Sequence, residues 1–258
     1  MAELPDLTVF AKTLNHHFKG QPLKHVEITV SKKLNVSEKE LKDRLEGSKL
    51  EIVQREGKTL EFHFDNGNIL GLHLMLRGEL ALIGKQDPSP KYEIIRFDFA
   101  NHGAFVVTDI LKQARPTLNP KPVKVPDALS ISQEDFTQML SKKDVAVKTL
   151  LMDQKQIRGI GNSYADEILW QARISPFSLA SAIPKKKAVK LHGTMRQVLE
   201  DAIETITKMN GNELQGELKD VLRIHGPKLK TSPNGKRIFS EKLNGRTTYY
   251  TSEQELYK

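Results

Sequence analysis

The stretch Leu151-Met152-Asp153-Gln154-Lys155-Gln156-Ile157-Arg158-Gly159-Ile160-Gly161-Asn162-Ser163-Tyr164-Ala165-Asp166-Glu167-Ile168-Leu169-Trp170-Gln171-Ala172 decides how the rest of the chain is read. Val145, Thr149 and Leu150 with Met152 read as the end of one helix. Ala165, Ile168, Leu169 and Ala172 sit at the i, i+3, i+4, i+7 spacing of a second. Between them, Gly159 and Gly161 allow positive φ and close approach to another surface. Asn162 stands where a cap of the second helix belongs, and a helix start offers N–H groups and a positive dipole end to a phosphate. Two readings stay open on this stretch alone: a clamp for a DNA backbone, or a helix pair that fills a core.

On the N-terminal side, Leu7, Phe10, Ala11, Leu14 and Phe18 mark one face of a helix over residues 5–18, with Pro5 in its tolerant first turn. Lys49–Gln54, Thr59–Phe64, Ile69–Leu76, Glu79–Ile83 and Glu93–Phe99 read as strands. Ser37 and Glu40 form a capping box ahead of a short helix, and Asp65-Asn66-Gly67-Asn68 signals a hairpin. The four prolines from Pro116 to Pro126 exclude regular structure and mark a linker. Helices resume after a Ser132/Asp135 cap, and a long one spans about Lys185 to Met209 until Gly211 ends it. Beyond Leu222, two β-like segments flank Asn244-Gly245. The fold class expected is α+β with two domains: a leading helix and an antiparallel β-sandwich, then helices and a basic hairpin. The divisions fall at residues 1–115, 116–130 (linker), 131–222 and 223–258.

The 258 residues carry 40 Lys or Arg against 32 Asp or Glu, a net charge of +8. Five of those net charges lie between Arg223 and Lys258, where eight Lys or Arg face three Asp or Glu. Such a basic segment favours a polyanion as partner. There is no cysteine, which excludes disulfides, a thiol nucleophile and any thiolate zinc site. No apolar run is long enough to span a membrane, and the N-terminus lacks signal-peptide character. A soluble intracellular protein without cofactor is expected.

Leu151-Met152-Asp153-Gln154 followed by Gly159-Ile160-Gly161-Asn162-Ser163-Tyr164-Ala165-Asp166-Glu167 resembles the helix-two-turn-helix signature of the formamidopyrimidine-DNA glycosylase and endonuclease VIII family. Met1-Ala2-Glu3-Leu4-Pro5-Asp6 is similar to that family's Met-Pro-Glu-Leu-Pro-Glu start. The resemblance implies a base-excision repair enzyme that extrudes a damaged base and attacks C1′ of its sugar through the N-terminal amine. An α-amino group suits this because its pKa of about 8 leaves a neutral fraction near pH 7, unlike lysine at about 10.4. By that resemblance Ala2 is the nucleophile once Met1 is removed, and Glu3 the acid/base. Asp6 and Glu167 are catalytic support. Lys58, His73, Asn162 and Arg246 contact DNA phosphates, and Leu76, Asn101 and His102 fill the void left by the base. Its partner is double-stranded DNA with damaged bases or abasic sites.

Several residues depart from the family pattern. Ala2 replaces a proline, so the amine is primary. The family's four-cysteine zinc finger has no cysteines here, so residues 224–258 are expected to form a zincless hairpin packed by Ile238, Phe239, Tyr249 and Tyr250. Residues 210–224 leave little room for the long loop that caps 8-oxoguanine in one branch of the family. An alternative of another class is therefore kept: a protein that binds abasic or bent DNA without catalysis.

Overall fold

The computed structural model describes residues 1–84, 87–100, 103–211, 213–214 and 219–258. The chain forms two compact units, Met1–Val123 with Ile206–Leu218, and Lys124–Thr205 with Lys219–Lys258.

In the first unit, α1 (Leu4–Phe18) leads into β1 (Leu23–Ile28), α2 (Glu38–Leu45), β2 (Leu50–Glu56), β3 (Thr59–Phe64) and β4 (Ile69–His73). Then follow β5 (Gly78–Ile83), β6 (Glu93–Phe99), β7 (Gly103–Asp109) and β8 (Arg115–Leu118). They build two four-stranded antiparallel sheets, ordered β1-β6-β7-β5 and β2-β3-β4-β8. Alternation of apolar and polar residues fixes which face of each strand turns inward: on β3, Leu60, Phe62 and Phe64 are buried, while Thr59, Glu61 and His63 are half-buried. Phe62 of one sheet stacks on Phe105 of the other with ring centroids 5.1 Å apart, and Phe18 of α1 joins them. Burying each such ring fully contributes about 1.5–3 kcal/mol. The expectation that Pro116–Pro126 holds no regular structure fails at its first residues. Pro116 lies in β8 opposite Leu72, which an edge strand tolerates because one side of it has no ladder to donate to.

The second unit contains α3 (Gln133–Ser141), α4 (Val147–Leu151), α5 (Asn162–Ala172) and most of α6 (Lys185–Asn210), then the hairpin β9 (Ile238–Leu243) and β10 (Arg246–Thr251). Ser132 Oγ accepts the Asp135 N–H at 3.0 Å, so the expected cap is present. Asn244 and Gly245 both take positive φ, 49° and 77°, the geometry of a type I′ turn. The helix before the glycine turn is only five residues long, and Val145 lies outside it.

Candidate active site and nucleic-acid interface

The N-terminus of the first unit is held closely. Pro5 in the first turn of α1 sets a helical φ, and Glu3 at the N-cap forms a capping box with Asp6, whose Oδ2 accepts the Glu3 N–H at 2.9 Å. Ala2 is part of the hydrophobic core, and Glu3 is 2% exposed. Asp6 is also buried. Arg55 Nε donates to Thr8 Oγ1 at 2.8 Å and its Nη1 donates to Gly57 O, tying the early turns of α1 to the β2–β3 turn that carries Lys58.

Beside that turn, β4 ends in His73, whose Nδ1 accepts the Met75 N–H at 3.0 Å. That bond leaves the proton of the neutral ring on Nε2, as a donor. Burial pushes His73 below its ordinary pKa, and the nearby Lys58 and Arg115 cations push it further down. Lys58, His73 and Arg115 thus form one electropositive cluster; Arg115 faces His73 in the β4–β8 register. Arg115 was missed in the sequence because only strand register brings it there.

In the second unit, Asn162 does not cap α5. The cap position belongs to Gly161, and Asn162 Nδ2 donates instead to Thr247 O at 3.0 Å. That contact sets the helix start beside exposed Arg246. A cavity of about 270 Å³ opens there, lined by Lys148, Thr149, Gln154, Asn244 and Arg246 among others.

The hairpin is tied to α5 by carboxylates. Lys148 and Asp166 are buried and 2.7 Å apart. Lys148 Nζ also donates to Thr248 Oγ1 at 2.8 Å, while Asp166 Oδ2 accepts the Tyr249 N–H at 2.9 Å and faces His225 Nδ1 at 2.7 Å. Removing one partner of such a buried pair costs about 3–5 kcal/mol, because it strands the other charge. Glu167 Oε1 accepts the N–H groups of Arg223, Ile224 and His225 at 2.8–3.0 Å. Burial raises the Glu167 pKa against the pull of those donors.

At the other end of α5, Glu253 accepts from Asn234 Nδ2, Trp170 Nε1 and Thr251 Oγ1 and pairs with Arg173. Desolvation opposes its ionisation, yet Asn234, Trp170 and Arg173 outweigh it and hold the carboxyl at about 2. Aromatic packing contributes as expected, through Tyr250 with Phe177 and Phe239 and through Tyr249 with His225. The sequence disclosed neither Lys148 nor Asp166 in this role. A lysine inside an apolar turn has no periodic signature, and its partner is 18 residues away.

Leu76 is 58% exposed on the β4–β5 connection. Asn101 and His102, the other residues expected to fill the void, lie outside the described residues. Among the described residues, no group of three or more His, Asp or Glu is placed to hold a metal ion.

Comparison with known proteins agrees with this architecture. Residues 1–115 match the formamidopyrimidine-DNA glycosylase N-terminal domain, and residues 124–211 match the formamidopyrimidine-DNA glycosylase H2TH domain. A formamidopyrimidine-DNA glycosylase of Pelotomaculum thermopropionicum is 30% identical over 97% of both chains. One from Lactobacillus johnsonii is 29% identical over the whole of both. The fold is that of the Lactococcus lactis Fpg in complex with abasic-site DNA, at a TM-score of 0.88 and 23% identity, covering 98% of this chain and 100% of that one. The two domain models and end-to-end identity of 30% establish that this chain belongs to the formamidopyrimidine-DNA glycosylase family.

Proposed function

We propose that this chain is a base-excision DNA glycosylase with abasic-site lyase activity, acting on duplex DNA through the amine of Ala2. The observation that carries the reading is the N-terminus itself, an Ala2 packed into the core and a buried Glu3 on a capped helix start. Met1 removal transfers the terminal amine to Ala2. Its lone pair forms a bond to C1′ as the N-glycosidic bond breaks, and the base leaves with a proton. Glu3 protonates the sugar ring oxygen, so the ring opens to an iminium. Loss of a C2′ proton then expels the 3′ phosphate, and water releases the amine. Asp6 acts as a positioning residue by holding the Glu3 backbone, and Glu167 by holding residues 223–225.

Lys58, His73 and Arg115 in one unit, and Asn162 and Arg246 in the other, are assigned to backbone phosphates. Lysine and arginine supply charge, while neutral His73 donates from Nε2. A chain division at residues 1–115, 116–130, 131–222 and 223–258, a monomeric state and a cytoplasmic, nucleoid-associated location complete the proposal. Among the described residues, no helix is long and apolar enough to cross a membrane.

Glu3→Gln tests the acid/base assignment. Base release and strand cleavage should fall at least about 100-fold, the usual size of a general acid–base contribution, while affinity for abasic-site DNA stays within about twofold. Unchanged turnover would defeat the assignment.

A further inference from the structure

An asparagine followed by glycine can lose its side-chain amide, because the unhindered glycine nitrogen is free to close on the asparagine Cγ. This chain holds four such pairs, Asn66-Gly67, Asn210-Gly211, Asn234-Gly235 and Asn244-Gly245. The reaction begins when the glycine nitrogen gives up its proton. An N–H held by an acceptor resists that step, and one open to water does not.

The fold protects three of the four. Gly67 N–H donates to Phe64 O at 2.9 Å, Gly211 N–H to Thr207 O at 3.2 Å and Gly235 N–H to Ser232 O at 2.8 Å. Their asparagines are held as well. Asn66 Nδ2 donates to Arg44 O and Ser48 Oγ, while its Oδ1 accepts the Asn68 N–H. Asn210 is 3% exposed, and Asn234 Nδ2 donates to Glu253 Oε1 at 3.0 Å.

The tip of the β9–β10 hairpin differs. Its ladder closes on Leu243 and Arg246, so the two turn residues project beyond the last paired position. Among the described residues Gly245 N–H meets no acceptor. Asn244 and Gly245 are both exposed, and the Asn244 amide is held at the surface through Nδ2 to Thr149 Oγ1 at 3.0 Å.

We propose that Asn244 is a deamidation site, at which the chain modifies its own hairpin tip with water as the co-reactant. The deprotonated Gly245 nitrogen attacks Asn244 Cγ. The Cγ–Nδ2 bond breaks, and the amide nitrogen takes a proton from water and leaves as ammonia. Water then opens the cyclic imide at one of its two carbonyls, giving aspartate or isoaspartate. Either product sets a carboxylate beside Arg246, at the cavity that Lys148 also lines. Isoaspartate further lengthens the backbone of a turn whose length fixes the hairpin register. The consequence for DNA rests on the assignment of Arg246 to a phosphate: a new negative charge at that contact repels the backbone it grips.

The test incubates full-length protein at mildly alkaline pH and follows the four asparagines by peptide mapping. Asn244 should convert to aspartate and isoaspartate at least about tenfold faster than Asn66, Asn210 or Asn234, as a free amide differs from protected ones. In urea the four should convert at similar rates. Affinity for abasic-analogue duplex should fall with conversion by about fivefold or more, the effect of one added charge at close range, and Asn244→Asp should show that loss from the start. Asn244→Gly keeps a Gly-Gly turn and has no amide to lose, so its affinity should hold steady through the incubation. Excess duplex should slow conversion at Asn244. Equal or faster conversion at any of the other three in the folded protein would overturn the site, and so would the same ranking in urea. Conversion first at Asn244 with affinity unchanged and no protection by duplex would leave the site standing and count against the Arg246 assignment.

Discussion

The residues that define this chain within its family are small changes with chemical consequences. In the proposed reaction, Met1 removal gives Ala2 a primary amine where the resemblance expects a secondary one, and either can form an imine at C1′. Lys58 and Arg246 are assigned as point contacts to phosphate, so each should contribute one released counterion. Lys58→Met and Arg246→Met should each lower the slope of log K against log salt by about one, with affinity falling for all DNA sequences alike. Unchanged slopes in a salt titration would move those contacts elsewhere. At this scale the sequence singled out residues whose neighbours in the chain form a motif, such as Glu3 and Asn162, although Gly161 and not Asn162 takes the cap position of α5. It did not reveal Arg115, which only strand register brings to His73.

At the scale of elements, α1, α2 and β3 follow from apolar spacing and capping residues, and the type I′ turn of the β9–β10 hairpin follows from Asn244-Gly245. β8 was illegible because its proline is acceptable only on an edge, and strand order is not written locally. The hairpin's anchorage was half legible. Its aromatic residues could be read, but the carboxylates of Asp166 and Glu253, which bind it to α5, are long-range partners.

Glu253 gives that anchorage a pH dependence. Its carboxyl is held at about 2 in the folded chain against an ordinary value of 4.5, so its stabilisation is complete above 4.5 and is lost as pH falls from there toward 2. Thermal melts should show a decline in that window for the native chain. Glu253→Gln should have lower stability at neutral pH and a flatter profile across the same range. Parallel profiles for the two proteins would remove Glu253 from the hairpin's support.

For the whole molecule, the family match extends over nearly the full chain, while the sequence has no cysteine with which to build a thiolate zinc site. Basic charge concentrated after Arg223 and a cationic cluster around His73 suit a polyanionic partner, and the proposal places the reacting amine at Ala2, beside buried Glu3. The most direct measurement is borohydride trapping on duplex DNA containing one abasic site, with intact mass to establish that Met1 is gone and peptide mapping of the adduct. A covalent adduct on the Ala2 amine is the expected result. Protein that lacks Met1 and binds this DNA, yet yields no adduct or one on another residue, would contradict the account.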